Sequence, residues 1–260
     1  MHTEIHSVLL NNGKAPGPLT GTYQTETLRP IVSLIFIVPI LLVYELACIG
    51  FDQTAIRTGV DQWLHQLLSV MGIGPVIVLP ILTAGVLLYL HHRNRDNWQV
   101  SPKTFLVMVV ESAGLGLILF SAARAYHLLA YVDVALVCSV NTQSAGAEGM
   151  GYWLGDTFGY FGAGIYEELI FRLLLLPGLI VLFAKWTPKK RNAVLLGLIA
   201  TSLLFATSHY NIINPAGSSF ELGSFAFRFL ASVLFCVIFI YRGFGIVVGT
   251  HVAYDVLTQL

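Results

Sequence analysis

Long apolar runs separated by short polar breaks fill almost the whole chain. They fall at about 30–50, 74–91, 104–121, 158–184, 192–209, 224–241 and 243–259, each close to the ~17–25 residues that a helix needs to cross a bilayer. The pattern predicts an all-α fold, a polytopic transmembrane helical bundle of seven spans. An eighth arises if the stretch 121–157 crosses: Ala122–Val140 is moderately apolar and Gly149–Gly164 is rich in glycine and aromatics, which suggests a further helix or a re-entrant piece. Residues 1–29 read as a polar N-terminal tail broken by Pro16 and Pro18, without the basic flank, short apolar core and small-residue cleavage site of a signal peptide. The chain therefore divides into a tail (1–29), N-terminal transmembrane helices (30–150) and a C-terminal group of helices (151–260).

Composition sharpens the membrane assignment. Of the residues, 56% are hydrophobic and 11% charged, against about 25% charged in a soluble domain, and the mean hydropathy is +0.75. The formal net charge is zero, and no Lys/Arg run is interleaved with aromatics, so nucleic acid is not an expected partner. Cys48, Cys138 and Cys236 have neither CxxC nor Cys/His ligand spacing; they read as small buried hydrophobes.

Lys and Arg are distributed unevenly between alternate loops. With the N-terminus inside, Lys14, Arg29, Arg93, Arg95, Lys103, Lys185, Lys189, Lys190, Arg191 and Arg242 lie on the inner side, and only Arg57, Arg124 and Arg228 on the outer. Cytoplasmic loops hold the excess, so the expected N-terminus is cytoplasmic. A crossing helix near 122–140 would split the strongest basic loops between two sides, which favours seven spans. Trp98, Trp153 and Trp186 fall near expected interfaces.

Charged and polar groups inside the spans are candidates for function because burying them is costly. Glu45 lies near the outer end of the first span, where it can reach the interface. Glu111 lies deeper, as a structural partner or a site residue. His65, His91, His92 and His127 fall in loops or at span ends and read as solvated. The cluster most out of place is Glu167-Glu168-x-x-x-Arg172, the three formally charged residues between Phe158 and Ala184. Glu168 and Arg172 are i,i+4 neighbours on a helix and can neutralise each other, whereas Glu167 points ~100° away and has no local partner. Phe205-x-x-x-His209 closes the fifth span and His251-x-x-x-Asp255 lies in the last, each with internal i,i+4 spacing. One unpaired Glu and two His on three apolar helices can activate a water and steady an oxyanion. Ser208 adjoins His209, but neighbouring side chains diverge on a helix, so it is a poor nucleophile for that histidine.

The succession E-E-x-x-x-R, F-x-x-x-H, H-x-x-x-D resembles the CPBP family of CAAX-processing and bacteriocin-processing intramembrane glutamic proteases, over about residues 155–260. The resemblance makes 151–260 the catalytic core and implies an intramembrane endopeptidase acting on a membrane-associated protein or peptide within the lipid bilayer. It implies that Glu167 and His209 activate water, that Glu168 and Arg172 brace the first motif with Phe205 beside them, and that His251 and Asp255 stabilise the tetrahedral intermediate. The prenyl-protein proteases of the family usually carry Asn where this chain has Asp255, while bacterial relatives carry Asp. A carboxylate donates to an oxyanion only when protonated, so Asp255 is open to a second role, orienting His251. The family is regarded as needing no cofactor. Zinc on Glu167, His209 and His251 is the competing chemistry, although the H-E-x-x-H helix is absent. A non-enzymatic scaffold, immunity or transport protein is the alternative of different class; no repeat of the motifs in 1–150 supports transport. Prenylated CAAX-like, bacteriocin-like and C-terminal sorting tails are all candidate substrates. Short loops favour a bacterial or archaeal cell membrane. Counted from the cytoplasmic boundary, Glu167 lies ~27 Å, His209 ~26 Å, His251 ~12 Å and Asp255 ~18 Å along their spans. The expected cavity is therefore in the outer half of the bilayer, and the last helix reaches it only by beginning late or tilting.

Overall fold

The computed structural model describes residues 23–50, 59–70, 72, 75–135, 150–211 and 218–259. Residues 1–22 of the tail, Cys138 and the rest of 136–149 lie outside the described residues. Every regular element described is a helix. These are α1 (Tyr23–Thr27), α2 (Pro30–Gly50), α3 (Gly59–Val70), α4 (Pro75–Asn94), α5 (Pro102–Ala135), α6 (Met150–Glu168), a π-helical turn (Leu169–Leu175), α7 (Leu176–Ala184), α8 (Lys190–Ser208), α9 (Leu222–Arg242) and α10 (Phe244–Leu257).

Among the described residues, four segments are long and apolar enough to cross a membrane by length and composition: Pro30–Gly50, Pro102–Tyr126, Lys190–Ser208 and Leu222–Arg242. The stretch after 121 starts no new helix within the described residues. Neither Gly nor Pro occurs between Leu117 and Ala135, and α5 runs through unbroken. The fourth apolar run, for its part, begins earlier than the sequence pattern suggests, at Met150. Its glycines do not break the helix; they let neighbours in. A Cβ on Gly162 would lie 2.4 Å from the ring of Tyr44 on α2, and one on Gly164 would lie 2.5 Å from Val252 on α10, so small residues draw three helices together as in other membrane bundles. Helix α3, with 12 residues, is too short to cross a membrane. Its Leu64 and Leu68 pack against the core.

Helix α10 is the centre of the bundle, packed against α2, α5, α6 and α9. Residues Phe244–Val252 are all buried. It begins inside the protein because α1 covers its start: Gly243 has φ +90°, and a Cβ there would lie 2.4 Å from the carbonyl oxygen of Thr27. Only glycine adopts that conformation without strain while leaving room for the α1 backbone. The last helix thus starts beneath α1, at Phe244.

A polar cluster ties this end together. Arg242 donates to both carboxylate oxygens of Glu111 at 2.5 and 2.6 Å, and the Tyr23 hydroxyl donates to Glu111 at 2.6 Å. Glu111 is thereby a structural partner. Burial, and then the Glu111 carboxylate, push the Tyr23 phenol well above its ordinary range. Arg29 donates to the carbonyls of Asn97 and Gln99, both at 2.8 Å, so the starts of α2 and α5 meet at one end. The ends of α4, α7 and α9 arrive there too, and with them Arg93, Arg95, Lys103, Lys185, Lys189, Lys190 and Arg191.

Two readings of isolated polar residues change. His91 is fully buried rather than solvated, with its ring edge-on to Trp98 at 4.4 Å, while His92 is exposed. Imidazole bodies pack well against aromatics when a neighbour supplies the surface. The side chains of His65, His127 and Trp153 lie outside the described residues. Glu45 accepts a 2.7 Å hydrogen bond from Tyr166 instead of reaching for the interface.

Candidate active site

Three helices deliver the motifs to one place at the end of the bundle opposite the basic loops. Helix α6 ends on Glu167 and Glu168 and passes directly into the π-helical turn that carries Arg172. Such widened turns are frequent at functional sites. Helix α8 ends at Ser208 and is capped by His209. Helix α10 presents His251 and, one turn on, Asp255.

Glu168 is the hub of the buried part. Its Oε1 accepts from Arg172 at 2.9 Å and from His251 Nδ1–H at 2.7 Å. Glu168 and Arg172 are fully buried; their partners replace part of the water each has lost, while Glu168 Oε2 and Arg172 Nε are buried without a hydrogen bond. Arg172 also donates to Ser232 on α9 at 3.0 Å and lies 4.2 Å over the Phe205 ring and 5.2 Å over the Phe235 ring. Phe235 stacks on His251, centroids 4.8 Å apart and planes at 18°. Phe205 packs on both histidines, at 4.8 Å from His209 and 6.3 Å from His251. Phe205, read as a residue beside the histidine, is thus the apolar floor common to both rings and the guanidinium.

Glu167 is different. It is 5% exposed, and its Oε2 lies 3.8 Å from His209 Nε2 and 3.9 Å from His251 Nε2. Both distances exceed a direct hydrogen bond and are short enough for one water to bridge. The Phe205 carbonyl, which can only accept, takes a 2.9 Å hydrogen bond from His209 Nδ1–H. That fixes the tautomer in which the neutral ring offers its Nε2 lone pair toward Glu167. The Ser208 hydroxyl does reach 3.4 Å from His209 Nδ1, closer than diverging neighbours suggest, but it donates to the Phe205 carbonyl at 2.8 Å. An Nδ1 that is already donating cannot take a proton from serine. Asp255 Oδ2 stands 3.4 Å from His251 Nε2. The ring of His251 therefore faces carboxylates at both nitrogens.

All seven residues singled out in the sequence, Glu167, Glu168, Arg172, Phe205, His209, His251 and Asp255, converge. Ser232 and Phe235 were missed, and helix α9 was read as a span without a motif. The signal was present as a stripe, since Arg228, Ser232 and Phe235 recur at i, i+4 and i+7 on an otherwise apolar helix. Among the described residues, no group of three His, Cys, Asp or Glu side chains has the spacing of a metal site.

Residues 150–257 match the family model "Type II CAAX prenyl endopeptidase Rce1-like". No curated protein and no solved structure matches the chain. The matched segment begins at the first residue of α6 and ends at the last of α10, so it contains every group of the cluster. In its C-terminal helices this multi-pass membrane protein carries the Rce1-like domain of a CAAX-type protease.

Proposed function

We propose that the chain is a metal-independent, glutamic-type intramembrane endopeptidase that cleaves a membrane-associated protein or peptide. The observation that carries this reading is the position of Glu167 Oε2, buried and 3.8–3.9 Å from two imidazole nitrogens. A water between Glu167 and His209 donates one proton to the carboxylate and one hydrogen bond to the Nε2 lone pair, which exposes its own lone pair to a peptide carbonyl. Its oxygen bonds to the carbonyl carbon as the proton passes to Glu167. In its imidazolium form His251 keeps Nδ1–H on Glu168 and turns Nε2–H to the new oxyanion. Glu167 then returns its proton to the departing amine, the C–N bond breaks, and the carboxylate is regenerated. Asp255 holds His251 charged and oriented.

The test is cleavage of a membrane-anchored reporter by the purified protein. Glu167→Gln is expected to lower the rate by about 10³-fold or more, with unchanged folding. Chelators such as EDTA or phenanthroline are expected to have no effect; inhibition that zinc reverses would assign the three side chains to a metal instead.

The basic end of the bundle faces the cytoplasm of a bacterial or archaeal cell under the positive-inside rule. The site then lies in the outer half of the bilayer, and the substrate is trimmed at or after export. In a variant lacking Cys48, Cys138 and Cys236, a cysteine at exposed Ser219 is expected to react with a membrane-impermeant maleimide on intact cells. A cysteine at exposed Lys189 is expected to react only after permeabilisation. The reverse pattern would turn the site to the cytoplasm.

A further inference from the structure

Helix α4 packs on α2 and α3, and a narrow cleft lies between it and the segment formed by the π-helical turn and α7. Leu87, Leu90 and Asn94 line the α4 side, Leu173 and Pro177 the facing side, and Phe244 at the start of α10 lies between them. The outer rims of both walls are exposed and apolar, with Leu88 and Tyr89 on α4 and Leu174 and Val181 opposite. The cleft thus belongs to the lipid-facing perimeter. Residues 87, 90 and 94 recur at i, i+3 and i+7 on one face of α4, so the lined part runs ~10.5 Å along the helix and ends at its last residue. Its lining is apolar apart from Asn94 at that end and Ser33, whose hydroxyl already accepts from the Gly245 N–H.

The end of the cleft at Asn94 is cationic. Arg95 follows Asn94 directly and Lys185 caps α7, both exposed. The carboxylates at this end are engaged elsewhere: Glu26 with Arg29, Glu111 with Arg242, and Asp96 lies toward His91. Arg95 and Lys185 therefore have no ion-pair partner among the described residues. Arg95 also has φ +57°, alone among the described non-glycine residues in the left-handed region. Gly or Asn enters that region at lower cost, so backbone geometry does not account for an arginine there.

We infer that the cleft seats an acyl chain of an anionic phospholipid and that Arg95 and Lys185 receive its headgroup phosphate. The inference does not depend on the proteolytic reading. Shape and charge both select this occupant. A slender, flexible chain enters a narrow apolar cleft that a helix does not, and it restores dispersion contacts that an unfilled cleft forfeits. Basic pockets between transmembrane helices on the cytoplasmic side bind anionic headgroups, and each cation there favours the anion by about 5-fold. Leu173 follows Arg172 in the π-helical turn, and Phe244 opens the helix that carries His251. A lipid seated here braces both elements from the end of the bundle opposite the site.

The whole protein, purified in maltoside and stripped of lipid, is titrated with dioleoyl-phosphatidylglycerol or dioleoyl-phosphatidylcholine. Bound lipid is counted by native mass spectrometry and stability is followed by thermal unfolding. Phosphatidylglycerol is expected to bind about 5- to 25-fold more tightly, the contribution of one to two cations, and to raise Tm as any ligand of the folded state does. Arg95→Asn suits the left-handed backbone, so it should leave the lipid-free Tm unchanged while cutting the preference about 5-fold. Adding Lys185→Gln should erase the preference. Leu90→Trp, which fills the cleft, is expected to lose both lipids alike. Glycerol 3-phosphate, which carries the charge without the chain, should not raise Tm at concentrations that suffice for the lipid, and this checks the role of the chain without any substitution in the cleft. Equal binding of the two lipids to the native protein, a preference that survives the double variant, undiminished binding to folded Leu90→Trp, or equal stabilisation by glycerol 3-phosphate overturns the inference.

Discussion

Two carboxylate clusters lie at opposite ends of this bundle, built from the same kinds of residue, and they are finished in different ways. At the basic end both oxygens of Glu111 are engaged, two donors coming from Arg242 and one from Tyr23. At the other end Glu168 accepts from Arg172 and His251 through one oxygen, Oε1, while its neighbour Glu167 approaches two histidines without touching either. A saturated carboxylate is a fastener, since any further partner must displace one it already has. A carboxylate held in place by the backbone of a buried helix, with its oxygen at water-bridging distance from two rings, keeps its capacity to accept a proton. The comparison separates structure from chemistry within a single residue type.

The largest expected effect comes from exchanging the same atom at both ends. Glu167→Gln is expected to leave thermal stability nearly unchanged and to remove activity, as stated above. Glu111→Gln is expected to do the opposite. It retains one accepting oxygen but loses the charge that holds Arg242, at a cost of about 1–3 kcal/mol, while the rate per folded molecule stays close to native. Thermal unfolding in detergent, together with turnover normalised to folded protein, reads both. If Glu111→Gln abolished turnover at full stability, the two clusters would not differ in kind.

Next in size is the buried hub. Arg172→Ala leaves Glu168 charged and buried with His251 as its remaining partner, and the loss of one member of such a pair costs about 3–5 kcal/mol. Replacing Glu168 and Arg172 together with apolar residues of similar volume is expected to recover part of the protein level. Recovery is incomplete because His251 Nδ1 then loses its acceptor. Abundance by immunoblot, compared across single and double variants, checks this. Equal abundance of the two would mean that the pair does not carry the burial cost assigned to it.

The sequence disclosed these two ends unequally. The active cluster was legible residue by residue because its chemistry breaks the apolar pattern, and i,i+4 spacing within a helix fixes local geometry before any tertiary contact is known. The fastener at the basic end was legible only as one lone glutamate. Its partners Tyr23 and Arg242 are 88 and 131 residues away from Glu111, a distance at which spacing carries no information. Glu45 was misread for the same reason, since Tyr166 reaches it across 121 residues. The continuity of α5 past residue 121 was readable from the absence of Gly and Pro there. The glycine-rich stretch read as a further helix or a re-entrant piece is, from Met150 on, part of α6 itself, because in a bundle glycine marks close approach as often as it marks a turn. The covered start of α10 depends on Gly243 meeting the backbone of Thr27, a contact between residues far apart in the chain that no local pattern announces.

The smallest expected effect tests whether Asp255 belongs with the fasteners or with the chemistry. It stands 3.4 Å from His251 Nε2 with its side chain 16% exposed, intermediate between the sealed Glu168 and the poised Glu167. If it holds His251 in place, Asp255→Asn keeps the size of the group and a hydrogen-bonding head, so the rate should fall only a few-fold. The amide can also donate to an oxyanion, which a carboxylate cannot, and this offsets part of the weaker hold on an imidazolium. If Asp255 moves a proton itself, the same change should cost about 10²-fold or more and remove an ionisation from the pH–rate profile. A rate measured across pH on the purified variant distinguishes the two. A few-fold loss with the profile's shape retained places Asp255 with Glu168, as a group that works by holding another.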